Sequence, residues 1–384
     1  MDGAAAREGS RLRIGLVVDS SLNVDGGVQE YTRGLYDYLA GSGHDVSIIT
    51  CGAPGAADRG RNVAVLGISR QWPLPGSSAS VPMHFWRPGA IRGFFEENDF
   101  DILHFQELSQ LFCRRLLLQS RSANILTFQV YKEGFLVWTA TPFLPFWRSQ
   151  SPRFAARIAQ SRVSLPLART FFPGEWILLP AGVDAKRFDS EGERMSRFID
   201  GKVNLLFVGR LDPRKGILDL LRALPLVSAS RPFRLIVAGD GPDRRRAERL
   251  ARSGNFPEVV FLGRVADGDL PALYRTADIF CAPTRGGECL GLVLLEAMAS
   301  GLPIAACANP AYVEVLGGTP GRDFLSTPGD TAGLARNITR LAGDRETRLS
   351  LGRAMRAAAG PYDWARVGPK FVEIYRRALE RSRL

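Results

Sequence analysis

The feature that most constrains this chain is a recurring unit: an apolar run of strand length, a glycine or proline at its end, then sequence able to form a helix. It occurs at VNLLFVG (203–209), RLIVAGDG (234–241), VVFLG (259–263) and ADIFCAP (277–283). Strands alternating with helices imply a parallel, doubly wound α/β sheet, and ligands of such sheets bind outside the carboxyl ends of the strands. The front of the chain repeats the unit. LRIGLVV (12–18) reads as a buried strand, the pair Gly26 and Gly27 precedes an amphipathic helix, and a second strand follows near Val46 to Thr50. With 384 residues the chain is long enough for two such domains, since a domain usually holds about 100 to 200 residues.

Two strand-end clusters carry chemistry. In GRLDPRKG (209–216), Arg210 and Lys215 lie in a turn that opens a helix near Ile217. Such a turn offers backbone N–H groups and a helix dipole to anions. A guanidinium able to bind two oxygens and an ammonium acting as a point charge make it a phosphate site; a solvated basic turn is the plain alternative. In GGECLGLVLLEAMASG (286–301), Glu296 stands in an otherwise apolar run with Leu292, Val293, Leu295 and Met298. Burying it unpaired would cost several kcal/mol, so either the fold or a ligand must satisfy it. A sugar or ribose diol suits a carboxylate, offering two adjacent hydroxyls to its two oxygens. Otherwise Glu288 caps the helix and Glu296 bonds a neighbouring backbone group.

Taken in order, the motifs resemble the GT-B glycosyltransferases of the large retaining family 4, and within it the phosphatidylinositol mannosyltransferases of actinobacteria. The matching stretches are LRIGLVV with VDGGVQ, HDVSIIT, DILHF with Glu107, PAGVDAKRF, VGRLDPRKG, RTADIFCAPTRGGECLGLVLLEAMASG and the late YDW at 362–364. They span nearly the whole chain. The resemblance implies two Rossmann-like, doubly wound parallel-sheet domains with a cleft between them. The acceptor domain would cover 11–190, with a C-terminal helix (365–384) packing back on it, and the nucleotide-sugar donor domain 200–364. The polar run KRFDSEGERMSRFIDGK at 186–202 is expected as the linker.

The same resemblance implies a donor site made of Gly26, Gly27, Gln129, Gly209, Arg210, Lys215, Glu288, Cys289, Leu290, Gly291 and Glu296, with Arg210, Lys215 and Glu288 taking part in catalysis. Arg210 and Lys215 would bind the diphosphate, Glu296 the ribose and Glu288 the transferred sugar, while Gly27 would bring its N–H to phosphate. The implied reaction transfers a hexose, mannose in those relatives, from a nucleotide diphosphate sugar to a hydroxyl of an acceptor sugar, lipid or glycolipid. Breaking the sugar–phosphate bond develops negative charge on the leaving diphosphate, which the two cations stabilise more in the transition state than in the ground state. Neither a metal nor another cofactor is then expected. Two short acidic pairs, Asp99 with Asp101 and Asp267 with Asp269, are expected as loop residues flanking a strand and a helix.

The departures from the family pattern fall in the N-terminal half. A strand-end histidine that the family places in a TFH motif facing the donor sugar is here Gln129 in ILTFQV, and the histidine of an HVHE pattern is Gln106 in HFQE. Glutamine bonds a sugar hydroxyl but does not titrate near neutral pH. His104 is expected as a packed strand-end residue. The tyrosine near the mannosyltransferases' acceptor is Ser20, and their basic amphipathic helix is RPGAIRGFFEEN, in which Arg87 and Arg92 face Glu96 and Glu97. These changes open a rival reading, a noncatalytic nucleotide-sugar binding protein of the same fold. A third reading, a nucleotide-sugar epimerase, is disfavoured by the run from GGE to EAMASG.

A formal net charge of +11 favours anionic partners, yet no basic run interleaved with aromatics marks a nucleic-acid groove. The segment 134–162 sets Phe135, Trp138, Phe143, Phe146 and Trp147 ahead of Arg148, Arg153, Arg157 and Arg162. Aromatics beside arginines suit peripheral contact with a bilayer interface; the same residues read equally as a core-packing loop and an amphipathic helix. Five scattered cysteines suit reduced packing residues. The leader MDGAAAREGS lacks an apolar signal core and is expected to be disordered. The expected location is cytoplasmic, with the inner membrane face as the place of contact.

Overall fold

The computed structural model describes residues 11–19, 21–22, 26–52, 55, 58–74, 77–84, 88–106, 111–129, 144–229, 231–253 and 258–382. The ten-residue leader, Ser20, Arg87, Glu107 and the stretch 134–143 of the aromatic segment lie outside the described residues. The chain divides into two compact units: the first holds residues up to 74, 78–182 and the segment from 364 onward, the second 183–363. The run 186–202, expected as a linker, lies inside the second unit. Asp184 caps the turn that follows it through Lys186 and Arg187, and Arg275 from a distant helix grips the Arg187 and Asp189 carbonyls. Polarity there reflects a surface strand-to-strand excursion, and the chain passes between the units at Gly182/Val183 and Asp363/Trp364.

The first unit is built on a seven-stranded sheet, in the order β3-β2-β1-β6-β7-β8-β9. Its strands are β1 (Arg13–Val18), β2 (Asp45–Thr50), β3 (Val63–Val65), β6 (Ile102–Phe105), β7 (Ala123–Phe128), β8 (Ala156–Ala159) and β9 (Ile177–Leu178). All its pairings are parallel. The strands β6 and β7 are buried along their whole length, which is why they read as apolar runs without alternation. Two further strands, β4 (Ile68–Leu74) and β5 (Ser77–His84), pair with each other; the apolar pattern had not announced them.

The last helix, Trp364–Ser382, belongs to this first unit. It buries Trp364, Val367, Phe371, Ile374, Tyr375 and Ala378, a spacing that puts one apolar stripe against the sheet. Trp364 lies so close to Gly182 that a Cβ there would collide with the indole. Tyr31 and Phe371 pack against the same ring in tilted arrangements, with centroids at 6.0 and 6.2 Å.

The second unit carries β10 (Val203–Val208), β11 (Phe233–Ala238), β12 (Glu258–Gly263), β13 (Ile279–Ala282), β14 (Ile304–Cys307) and β15 (Leu325–Ser326). Their order is β12-β11-β10-β13-β14-β15, again entirely parallel. Both units are thus doubly wound α/β sheets. Among the described residues no helix is long and apolar enough to cross a membrane. The five cysteines are free thiols, four of them buried and Cys289 half-buried.

Candidate active site

Strands β10 and β13 are neighbours, with Leu205 opposite Ile279. From β10 the chain winds through β11 to β12 on one side, and from β13 through β14 to β15 on the other. The winding direction therefore reverses between them. Loops leaving the carboxyl ends of two such strands diverge around a crevice, the place where open α/β sheets bind ligands. The loop after β10 is GRLDPRKG and the loop after β13 runs from Thr284 to Gly291. The two clusters that the sequence singles out meet here.

The first loop is shaped by its own residues. Asp212, 1% exposed, accepts the Lys215 N–H on its carboxylate at 3.0 Å, an Asx-type turn that folds the loop back. Gly216 then takes φ 75° as the cap residue of the helix Ile217–Ala223. A side chain there would be strained by that left-handed backbone and would also strike the Pro283 carbonyl. Between the loops, the Arg285 N–H donates to the Arg214 carbonyl at 2.9 Å. The Arg285 guanidinium clasps buried Asp219 through two bonds, at 2.6 and 2.8 Å.

On this scaffold Lys215 and Glu288 meet. Lys215 Nζ lies 2.7 Å from Glu288 Oε1, with side chains 14% and 11% exposed. Arg214 reaches the same oxygen at 3.3 Å and donates to the Gly287 carbonyl at 2.5 Å. Arg210 Nε is 3.9 Å from Asp212, with about a third of its side chain open to solvent. Three cations and two carboxylates, Asp212 and Glu288, therefore share one small region and pair with one another. Glu288 does not cap the helix Leu292–Ala299: that helix starts from Gly291, at φ 90°, with no side-chain cap. Leu290 is buried behind the loop and Cys289 is half-buried. Gly209 leaves β10 at φ 149°.

Glu296 has found its partner in the fold. The hydroxyl of Tyr274, from the helix Leu270–Thr276, donates to Glu296 Oε2 at 2.7 Å. Tyr274 is fully buried, edge-on to Phe188 at 5.5 Å and against Phe280 at 5.7 Å. Burial first, and the Glu296 charge second, hold its hydroxyl well above the usual tyrosine pKa, so it stays a donor. The need for a partner is thus met without a ligand. Burial, and then the charge of Glu288, likewise raise the pKa of Tyr312, whose hydroxyl donates to Thr284 at 3.1 Å.

The remaining predicted residues lie in the first unit, also at strand ends. Gly26 is the extended cap residue of the helix Gly27–Gly41, and Gly27 is its first residue. Gln106 follows β6 and is 1% exposed; Gln129 follows β7 and donates from Nε2 to Gln106 Oε1 at 3.0 Å. His104, fully buried on β6, is held between the Tyr375 hydroxyl at 2.8 Å and the Thr127 hydroxyl at 2.6 Å. Burial lowers its pKa to about 3, so it packs as a neutral ring.

One member of each acidic pair has a side-chain partner. Asp101 accepts the Arg13 N–H at 2.9 Å, Asp267 pairs with Arg187 at 2.6 Å, and Asp269 is the cap residue of the helix Leu270–Thr276. Among the described residues no three His, Cys, Asp or Glu side chains gather as a metal site. Sequence reasoning missed Arg214, Asp212 and Tyr274. The first two sit in the loop already singled out, where the Asp212-Pro213 step was a readable turn signal. Tyr274 is 22 positions before Glu296 and gave no signal.

Comparison with known proteins agrees with this architecture. A model described as Glycosyltransferase Family 4 matches residues 25–187, and one described as Glycosyl transferases group 1 matches 202–344. The phosphatidyl-myo-inositol mannosyltransferase of Mycobacterium tuberculosis is 31% identical over 379 residues, covering 95% of this chain and 96% of that protein. A GDP-mannose-dependent monoacylated alpha-(1-6)-phosphatidylinositol monomannoside mannosyltransferase of Corynebacterium glutamicum is 34% identical over 211 residues, 51% of this chain and 55% of the relative. Among solved structures, a glycosyltransferase of Rickettsia africae superposes with a TM-score of 0.75 at 18% identity, over 97% of this chain and 99% of that one. Two doubly wound units, a cation-bearing loop facing a glutamate loop at the winding reversal, and a relative of 31% identity along nearly the full length together place this chain in glycosyltransferase family 4, as a glycosyltransferase enzyme of the GT-B fold.

Proposed function

We propose that this enzyme transfers mannose, with retention of anomeric configuration, from a nucleoside diphosphate sugar to a hydroxyl of a lipid-borne acceptor. The observation that carries the reading is the Lys215–Glu288 pair at 2.7 Å. It sets a phosphate-binding cation beside a carboxylate able to hold sugar hydroxyls. Arg210 and Lys215 take the diphosphate as it leaves, where charge grows most in the transition state. Glu288 orients the hexose and Glu296 the ribose, while Cys289, Leu290 and Gly291 line the donor and Gly209 opens the loop. In the first unit the proposal assigns Gly26 and Gly27 to the phosphate and Gln129 to the hexose. With fixed cations neutralising the leaving group, the reaction calls for no metal.

The choice of mannose and of a lipid rests on the names of the relatives from Mycobacterium and Corynebacterium. Peripheral membrane contact through residues 134–162, at the cytoplasmic face, belongs to the same proposal. In its described part Arg148, Arg153 and Arg162 are exposed, whereas Trp147 packs against the core. The test is a transfer assay on vesicles containing phosphatidylinositol, with GDP-mannose, GDP-glucose, UDP-glucose and UDP-N-acetylglucosamine offered separately. Mass spectrometry should find one hexose added from GDP-mannose, and NMR of the product an α linkage. Transfer from a UDP-sugar alone, or a β linkage, would overturn the proposal.

A further inference from the structure

The bond from Tyr274 to Glu296 joins two helices that lie on either side of β13 in sequence, and both of its ends are unusual. The phenol is completely buried among Phe188, Phe280 and the helix Leu292–Ala299, so its hydroxyl has no water to turn to. Its other acceptor is the Val293 carbonyl, at a long 3.4 Å. Glu296 is only half-buried, standing on the helix that follows the glutamate loop, with Leu295 and Ala297 on either side buried in the core. A glutamate side chain has three rotatable bonds. A rigid donor at 2.7 Å on Oε2 selects one arrangement of them and leaves the carboxylate aimed before any ligand arrives.

We infer that Tyr274 is a positioning residue for nucleotide recognition: its hydroxyl fixes the Glu296 carboxylate so that the site distinguishes a ribonucleoside diphosphate from its 2′-deoxy counterpart. The inference rests on the proposed pairing of Glu296 with ribose and adds to it the residue that sets the geometry. The tyrosine never touches the nucleotide. Its effect is therefore confined to the part of the affinity that comes from the ribose hydroxyls, while affinity for the diphosphate, bound elsewhere in the site, is untouched. Loss of packing alone would behave differently, weakening all ligands together.

The experiment is calorimetric titration of wild type, Tyr274→Phe and Glu296→Gln with GDP and 2′-deoxy-GDP, with UDP and 2′-deoxy-UDP in parallel and inorganic pyrophosphate as the reference. Tyr274→Phe should lower affinity for the ribonucleotide by about tenfold, which corresponds to about 1.4 kcal/mol. Pyrophosphate should bind as to wild type, and the 2′-deoxy nucleotide, with only its 3′-hydroxyl left for Glu296, should weaken less than the ribonucleotide, so the ribose preference shrinks toward that of Glu296→Gln. If Tyr274→Phe keeps the full preference while Glu296→Gln loses it, the positioning role is wrong and the ribose assignment stands. If Glu296→Gln itself keeps both affinity and preference, the ribose assignment and the inference fall together. Should Tyr274→Phe not fold, 4-fluorophenylalanine at position 274 fills the space of the hydroxyl without donating to Glu296, and the same two outcomes decide the question.

Discussion

The two units are the same architectural solution, a parallel sheet wound in two directions, yet they arm their strand ends with opposite chemistry. In the second unit the loops after β10 and β13 hold Arg210, Arg214, Lys215 and Glu288, charged and partly open to solvent. In the first, the residues directly after β6, β7 and β8 are the neutral amides Gln106, Gln129 and Gln160, and the carboxylate after β1, Asp19, is buried. One of its ion pairs is buried and turned to structure: Arg33 binds Asp58 at 2.8 Å, Glu30 at 2.6 Å and the Leu22 carbonyl at 2.6 Å, tying the helix Gly27–Gly41 to two loops. A shared topology thus decides where a ligand edge lies, and side-chain charge decides what that edge does. One edge presents charge to solvent; the other is neutral or buried.

The comparison breaks most visibly at Lys215. Lys215→Ala, or Arg210→Ala, should lower steady-state turnover by roughly two to three orders of magnitude, as does loss of a donor aimed at developing charge, with melting temperature little changed. Near-normal turnover in both variants would mean that the charged edge is not where the diphosphate leaves. The first unit's ion pair should respond in the opposite sense. Asp58→Asn removes the fully buried anion from Arg33 and leaves it only the half-exposed Glu30 at 2.6 Å and the Leu22 carbonyl, which should cost about 2 kcal/mol of stability in urea melts. If it left stability intact and abolished turnover, the charge in the first unit would be functional and the contrast would disappear.

A smaller effect sharpens the contrast through pH. The buried His104 ring has its pKa lowered to about 3, whereas an unfolded histidine takes up a proton near 6.5. The unfolded chain therefore binds more protons between those values, and stability falls as pH drops below the ordinary histidine range. The first unit should lose about 2 kcal/mol between pH 7 and pH 5, and His104→Gln should flatten that slope even if it lowers stability at pH 7. Denaturant melts at the two pH values measure it, and an unchanged slope in His104→Gln would assign the acid sensitivity to another group.

What the sequence revealed, and what it hid, follows from the range of the forces involved. Buried parallel strands announce themselves because both faces must be apolar, so β1, β10, β11 and β13 could be read off with their bounds nearly right. Loop chemistry next to such strands was readable for the same reason, which is how Arg210, Lys215 and Glu288 came into view. Pairing across distance was not. Glu296 was recognisable as a carboxylate in need of a partner, but nothing local named Tyr274, because the contact arises only when the helices before and after β13 pack on one sheet. The pair β4 and β5 went unseen because it contributes to neither large sheet, and the polar run at 186–202 looked like a linker because surface excursions and linkers share a composition.

The helix Trp364–Ser382 completes the first unit although the whole second unit is written ahead of it in the chain. On the ribosome the order of assembly is therefore inverted relative to the order of the units. Residues 183–363 emerge as a contiguous block and are free to fold as soon as they clear the exit tunnel, as domains generally do during synthesis. The first unit, begun earlier, waits with the surface that will receive Trp364, Phe371 and Tyr375 uncovered until that helix follows the second unit out of the tunnel. A chain broken just before Trp364 would therefore keep residues 183–363 whole and leave the aromatic surface of the first unit open.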